Sequence, residues 1–191
     1  YKNNNCIIVP KPIIASNNFL IMDYVEGEAL ENLDVSDLLK REIVILISLF
    51  TKDNYFFLDK FHCDLHDSNW KVKIVDNKPK LIIYDFGYVL DNCEQLQESF
   101  RKLVYYLDTN NYEKICEIFY DYVTNKKCDL QIFKEKFLKS VTESYPYSDE
   151  NVINFYRFCY INNYKLHSCI LEFVISFILL RKHFIKYIFV N

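Results

Sequence analysis

FHCDLHDSNW, residues 61–70, holds the densest cluster of chemically active side chains in the sequence. Three groups able to carry charge or bind metal, His62, Asp64 and His66, alternate in it with apolar or small residues, and Asn69 follows. Such a cluster is compatible with a metal site, a phosphoryl-transfer site or a polar surface loop. The residues that come next help to separate these possibilities.

A β-hairpin is predicted directly after this stretch. WKVKIV (70–75) alternates as a half-buried strand does, DNKP (76–79) contains turn-forming residues, and LIIY (81–84) is a second short strand. The triplet Asp-Phe-Gly (85–87) ends the hairpin. Because a hairpin returns the chain to its starting point, we expect Asn69 to lie beside the aspartate of this triplet.

The order of loop, hairpin and Asp-Phe-Gly suits phosphoryl transfer. Asp64 and Asn69 stand in D-x-x-x-x-N spacing, with His62 two residues before the aspartate, as in the kinase catalytic loop H-R-D-L-x-x-x-N. In that chemistry one carboxylate reaches the acceptor hydroxyl. An amide oxygen and a second carboxylate hold Mg²⁺ over the phosphates.

Glycine is rare in this chain, and both of its positions agree with that interpretation. Gly87 completes the Asp-Phe-Gly triplet. Gly27 lies in LIMDYVEGEAL (20–30), which is typical of the hinge between two kinase lobes. We expect both glycines to serve backbone freedom or a close approach.

The remaining sequence predicts a short β region followed by helices. CIIV (6–9) and NFLIMDY (18–24) are strand candidates. A helix is expected to follow a cap at Asp34 or Ser36 and to run to about Thr51, and its apolar middle indicates deep burial. From about residue 93 onward, apolar residues recur at helical spacing.

The composition indicates a globular protein of an intracellular, reducing compartment. The chain is 51% hydrophobic with a net charge of −3, so no nucleic-acid or anionic-membrane surface is indicated. Its seven cysteines form no C-x-x-C pair, which is typical of reduced thiols. The apolar run at 169–180 is interrupted by Arg181, Lys182 and His183, so we interpret it as a core helix. Membrane association stays open but is not indicated.

Four segments together carry a family resemblance. VPKPIIASNNFLIMDYVEGEAL (9–30), FHCDLHDSN (61–69), YDFG (84–87) and FRKLVYYLDTNNYEKICEIF (100–119) resemble the UbiB/ADCK atypical kinase-like family, in the protein-kinase-like superfamily. That family's catalytic loop reads His-x-Asp-x-His-x-x-Asn, and His66 supplies its second histidine. The resemblance covers roughly residues 7–125.

The resemblance implies an α+β, protein-kinase-like fold, mainly a helical C-lobe with a short β part and the catalytic-loop hairpin. Residues 1–33 would form the edge of the N-lobe and the hinge, and residues 34–191 the C-lobe, with the rest of the N-lobe upstream. It also implies binding of Mg²⁺ and ATP, with atypical kinase or ATPase activity toward a lipid-related or protein acceptor. The implied site residues are the catalytic Asp64, the metal-holding Asn69 and Asp85, the adenine-facing backbone of Asp23, Tyr24 and Val25, and the loop-ordering His62, His66, Phe86 and Gly87.

The chain departs from the family pattern at two places. Leu65, Asp67 and Ser68 stand where the family usually has proline and glycine, and we interpret Asp67 as a solvated loop charge. The segment that should precede the hinge, with the phosphate-binding lysine and its glutamate partner, is absent from this sequence.

Three alternatives stay open. Small-molecule phosphotransferases of the aminoglycoside- or choline-kinase type share His-x-Asp-Leu-x-x-x-Asn, although YDFG argues against them. A pseudokinase or nucleotide-binding interaction module is favoured by the absent N-lobe motifs and opposed by the intact catalytic and metal residues. A metal hydrolase is the weakest, because the other histidines, His167 and His183, lie in predicted helices without ligand spacing.

Overall fold

The computed structural model describes residues 5–140 and 149–189. The strands are β1 (Ile7–Ile8), β2 (Pro12–Ala15), β3 (Leu20–Met22), β4 (Lys60–His62), β5 (Trp70–Val75), β6 (Lys78–Ile83) and β7 (Val89–Asp91). The α-helices are α1 (Asp37–Phe56), α2 (Glu94–Asp108), α3 (Tyr112–Asp121), α4 (Leu130–Ser140), α5 (Asp149–Ile161) and α6 (Ser168–Phe184). A 3-10 turn (Leu30–Asn32) precedes α1, and a π-helical turn (Ile185–Phe189) continues α6.

The hairpin β5–β6 forms as the sequence predicts. Its register runs from Trp70 opposite Ile83 to Val75 opposite Lys78. The two-residue loop, Asp76 and Asn77, has φ of 51° and 57°, which is the left-handed pair that a type I′ turn requires.

The second strand begins at Lys78 and not at the predicted Leu81. Pro79 lies within β6, and the parallel neighbour β1 pairs only with Leu81 and Ile82. Pro79 is therefore tolerated, because β1 does not reach it.

Helix α1 starts where the sequence predicts but runs further. Ser36 caps it by accepting a hydrogen bond from the backbone N–H of Leu39. The helix continues past Thr51 to Phe56, and the side-chain amide of Asn92 donates to carbonyls at and beyond its C-terminal end, those of Asn54, Tyr55 and Leu58. These bonds satisfy carbonyls that a helix end leaves without a partner, so the longer helix is stabilised.

The deep burial predicted for the apolar middle of α1 is found on one face only. One face is buried, while Ile45 and Leu49 on another face are 48% and 53% exposed. The predicted strand at 18–24 is also shorter, and it pairs with β2, which opens at Pro12. Proline is compatible with the first residue of an edge strand.

Two hydrophobic cores hold the segment before the hairpin between them. Phe61 and Cys63 belong to a core built with the helices, whereas Leu65 and Trp70 belong to a core built with the hairpin and α1. The apolar residues of the stretch are thus anchored on both sides. Among the polar residues of the stretch, His62 and Asn69 are buried, whereas Asp64 is exposed.

Helix α6 packs into both cores, as predicted for a core helix. Ile170 and Phe173 are buried in the helical core and Leu180 in the hairpin core. Across the described ranges, the helices are too short or too polar to cross a membrane.

Candidate active site

Both ring nitrogens of His62 form hydrogen bonds with the backbone. Its Nδ1 accepts a hydrogen bond from the N–H of Asp64 at 3.2 Å, and its Nε2 lies 3.2 Å from the carbonyl oxygen of Tyr84. Because Nδ1 accepts, the neutral ring carries its hydrogen on Nε2, which donates to Tyr84. The His62 side chain is buried and lies 5.1 Å from the ring of Phe86. It orders the loop and has no nitrogen left for a metal.

Asn69 joins the loop to the end of the hairpin. Its side-chain Nδ2 donates to the backbone carbonyl of Asp64 at 2.7 Å. The backbone carbonyl of Asn69 accepts from the N–H of Tyr84 at 2.8 Å. The N–H of Asn69 in turn donates to the carbonyl of His66. Asn69 is buried, so these bonds fix the loop in one shape.

The peptide groups of Tyr84 are therefore where the loop meets Asp-Phe-Gly. The N–H of Tyr84 donates to Asn69, and its C=O accepts from His62. Asp85 is the next residue, so these bonds hold its backbone next to the loop that carries Asp64. The predicted proximity of Asn69 to the hairpin's end follows from these bonds.

Asp85 has an uncommon backbone conformation. Its φ is 49°, in the left-handed region, which costs energy for a non-glycine residue and is concentrated at functional sites. Its Oδ1 accepts from the N–H of Gly87 at 3.1 Å. A Cβ at Gly87 would lie 2.9 Å from that oxygen, so glycine permits the turn. The Asp85 side chain is exposed.

Asp64 presents its carboxylate at the surface of the loop. Oδ2 lies 3.4 Å from Nδ2 of Asn69 and 3.6 Å from Nε2 of His66. The other ring nitrogen of His66 accepts from the N–H of Ser68. Between His62 and Asp64, burial raises the pKa of the Cys63 thiol to about 12, so this cysteine stays protonated at neutral pH.

The segment predicted to be the hinge contacts Tyr84, the residue that directly follows β6. The hydroxyl of Tyr84 donates to the carbonyl of Val25 at 2.8 Å, and the N–H of Asp23 donates to the carbonyl of Lys11 at 2.9 Å. Tyr24 is fully open to solvent, at 89% exposure.

Gly27 lets the hinge segment approach the hairpin. Its φ is not positive, so a conformational need does not explain it. A Cβ at Gly27 would instead collide with the side chain of Ile82 and come within 3.1 Å of the carbonyl oxygen of Val72. Next to it, Glu28 exchanges two backbone hydrogen bonds of 2.8 Å with Val72.

A histidine metal centre finds no support here. His66 and Asp64 approach each other, but both nitrogens of His62 are occupied. Among the described residues, histidine, cysteine and acidic side chains form no group of three or more able to hold a metal ion.

The interpretation of Asp67 as a solvated charge is wrong. Its carboxylate contacts two residues of α6, with Nζ of Lys182 at 3.0 Å and Nε2 of His183 at 2.7 Å. Burial acts to raise the pKa of Asp67, but its bonds to Lys182 and the charge of His183 outweigh burial and lower that pKa. The only sequence signal was the basic interruption of an apolar helix, which does not name its partner.

Comparison with known proteins identifies the family. A family model described as the ABC1 atypical kinase-like domain matches residues 1–119, more than half of the chain. The chain belongs to the ABC1 atypical kinase-like family. The predicted relationship is therefore confirmed, and the α+β architecture with its small sheets is the kinase-like fold that the sequence predicts.

Individual proteins match this chain over only part of its length or at low sequence identity. A functionally uncharacterised protein of Dictyostelium discoideum is 31% identical over 98 residues, which are 51% of this chain and 10% of that protein. Among solved structures, the Rio2 kinase–ADP/Mg²⁺–phosphoaspartate complex from Chaetomium thermophilum aligns with 94% of this chain and 50% of its own. That alignment has a TM-score of 0.41 and 12% identity.

Proposed function

We propose that this protein is a Mg²⁺- and ATP-dependent phosphotransferase or ATPase of the UbiB type. The observation that carries the proposal is the double attachment of Tyr84 to the catalytic loop, through His62 and Asn69. This attachment sets Asp85 beside the loop of Asp64, which is the juxtaposition that phosphoryl transfer needs. The acceptor is proposed as a lipid-related molecule or a protein.

The donor set fits magnesium. Asn69 offers an amide oxygen and Asp85 a carboxylate, and Mg²⁺ prefers such hard oxygen ligands. The amide nitrogen of Asn69 is committed to Asp64, so its oxygen is the atom left for a cation. Bound Mg²⁺ would neutralise charge on the phosphates.

Asp64 is the proposed catalytic residue. Its carboxylate is half exposed, and its weak contacts at 3.4 Å and 3.6 Å leave it able to accept a proton. The acceptor hydroxyl, or water, would give its proton to Asp64 while its oxygen bonds to the γ-phosphorus. The bond from that phosphorus to the bridging oxygen would break, and ADP would leave.

Adenine is proposed to meet the backbone of the hinge. The N–H of Asp23 and the carbonyl of Val25 are used within the protein. The carbonyl of Asp23 and the N–H of Val25 provide an acceptor and a donor, which match the edge of adenine. Tyr24 lies between them.

The proposal also places the protein in a reducing compartment and residues 1–33 at the edge of an N-lobe. All seven cysteines lie in the described ranges, and none of them forms a disulfide there.

A thermal-shift titration with Mg²⁺·ATP tests the proposal. Three proteins are compared: the parent, Asp85→Asn and the control Asp76→Asn. The control is closely matched, since Asp76 is also an exposed aspartate with left-handed φ, 51° against 49°. Nucleotide at about 100 times its dissociation constant should add roughly 2.7 kcal/mol to the free energy of unfolding of parent and control.

Asp85→Asn should fold normally, because asparagine also tolerates this conformation, but should lose the shift. A full shift in Asp85→Asn would rule out its metal role. No shift in any of the three proteins would overturn nucleotide binding by this chain.

A further inference from the structure

The C-terminal end of α6 is attached to the catalytic loop. The carboxylate of Asp67, in the loop, is hydrogen-bonded to Nζ of Lys182 at 3.0 Å and to Nε2 of His183 at 2.7 Å. Lys182 and His183 lie beyond the stretch that matches the family model, which ends at residue 119.

His183 is held firmly where it meets Asp67. It is only 5% exposed. The ring of Trp70 meets it edge-on at 5.4 Å, and the ring of Tyr187 lies nearly parallel to it at 6.4 Å. An ionised carboxylate only accepts hydrogen bonds, so Nε2 of His183 must be the donor. A donor fixed by packing orients its partner better than a solvated lysine does.

Asp67 lies between the residues proposed to do the chemistry, three positions after Asp64 and two before Asn69. The loop is tied internally by bonds from Asn69 to Asp64 and His66, and from Ser68 to His66. A tether at Asp67 therefore acts on the whole loop, because these residues are hydrogen-bonded to one another.

Helix α6 also contacts the segment after Asp-Phe-Gly. The hydroxyl of Tyr88 donates to a carboxylate oxygen of Glu172 at 3.1 Å. The backbone carbonyl of Tyr88 accepts from the N–H of Cys63 in the loop. Lys182 lies ten positions after Glu172, about 15 Å along the helix axis, so one rigid element touches both halves of the candidate site.

We propose that Asp67 is a positioning residue, through which His183 and Lys182 of α6 hold the catalytic loop in its working geometry. This inference rests on the proposed function. It assigns a role to a helix outside the family-matched region and to a loop residue that departs from the family pattern.

The test compares the parent with Asp67→Ala, His183→Leu and His183→Gln. Glu31→Gln is the control, because it removes another ion pair to the same end of the chain, Glu31 with Lys186 at 2.9 Å. The readouts are kcat and KM for ATP, and hydrogen exchange of residues 64–69 in nucleotide-free protein.

Asp67→Ala and His183→Leu should lower kcat roughly tenfold or more, since small misplacements of catalytic groups are costly. KM for ATP should change little, and loop exchange should accelerate. His183→Gln keeps an N–H donor and should restore most of kcat. The control should match the parent.

Parent kcat in Asp67→Ala, or parent exchange rates in it, would overturn the inference. If His183→Leu does not fold, Asp67→Ala decides alone, because Asp67 is partly exposed. A parent that neither binds nor turns over ATP would refute the proposed function, and the exchange rates would still decide whether α6 orders the loop.

Discussion

The hydroxyl of Tyr84 donates a hydrogen bond to the carbonyl of Val25 across 2.8 Å. The residue before Asp-Phe-Gly thus contacts Val25 through its side chain and the loop that carries Asp64 through its backbone. In the proposed function this single residue connects the adenine end of the site to the phosphate end.

Tyr84→Phe should lower the free energy of unfolding by about 1 kcal/mol, the usual worth of one hydrogen bond. It should also raise KM for ATP with less effect on kcat, because the hinge loses a support while the loop keeps its backbone bonds. The control Tyr122→Phe breaks a comparable bond, to Ser99 at 3.0 Å, far along the chain from the site. Equal effects on KM in both variants would contradict a link through Tyr84.

Asp64→Asn should abolish most turnover and spare nucleotide binding. The loop should keep its shape, because Asn69 holds the backbone carbonyl of Asp64 and not its carboxylate alone. Loss of a positioned general base typically costs about 10²- to 10⁴-fold in rate. Steady-state ATP turnover and the thermal shift measure the two quantities, and undiminished turnover would exclude Asp64 as the base.

Gly27→Ala should destabilise the protein by about 1–3 kcal/mol, because its Cβ would overlap the side chain of Ile82. Ile82→Val removes the methyl group that collides and alone should cost roughly 0.5–1.5 kcal/mol. The double variant should lose less than the sum of the two. Urea unfolding measures all three, and strict additivity would show that the collision is not the cause.

Alkaline pH should destabilise the fold through its buried thiols. Burial raises the pKa of Cys116 and Cys159 to about 12, whereas thiols of the unfolded chain ionise near a pKa of about 8.5. A pKa raised in the folded state gives stability that is full below the unfolded value and is lost as pH rises toward the folded one.

Unfolding free energies measured in urea should therefore fall between about pH 8 and pH 10. The double variant with alanine at both cysteines should show a weaker pH dependence. Its free energy of unfolding at neutral pH should be lower than that of the parent, because the substitutions leave cavities. A pH dependence identical to that of the parent would show that other groups cause the loss.

Local signals predicted the hairpin that follows the candidate site. Strand alternation and turn residues were sufficient for β5 and its hairpin, because a two-residue turn fixes the register by itself. The spacing from Asp64 to Asn69 then set which side chains share the loop. These features depend on neighbours in sequence, which a sequence displays directly.

Features set by distant residues were missed. The length of α1 depends on Asn92, which follows the end of the helix by more than thirty residues. The pairing of the Asp67 carboxylate depends on His183, 116 positions away. Exposure of Ile45 and Leu49 likewise depends on which elements cover α1. A single sequence gives the chemistry of such residues but not the partner that folding brings to them.

Helix α1 supplies Tyr55 to one core and Ile43, Val44, Ile47 and Phe50 to the other. Neither core can come apart without loosening a helix that the other needs, so the two should unfold as one cooperative unit. The loop that carries Asp64 is anchored in both cores, and it should therefore persist up to the global transition without melting as a separate subdomain.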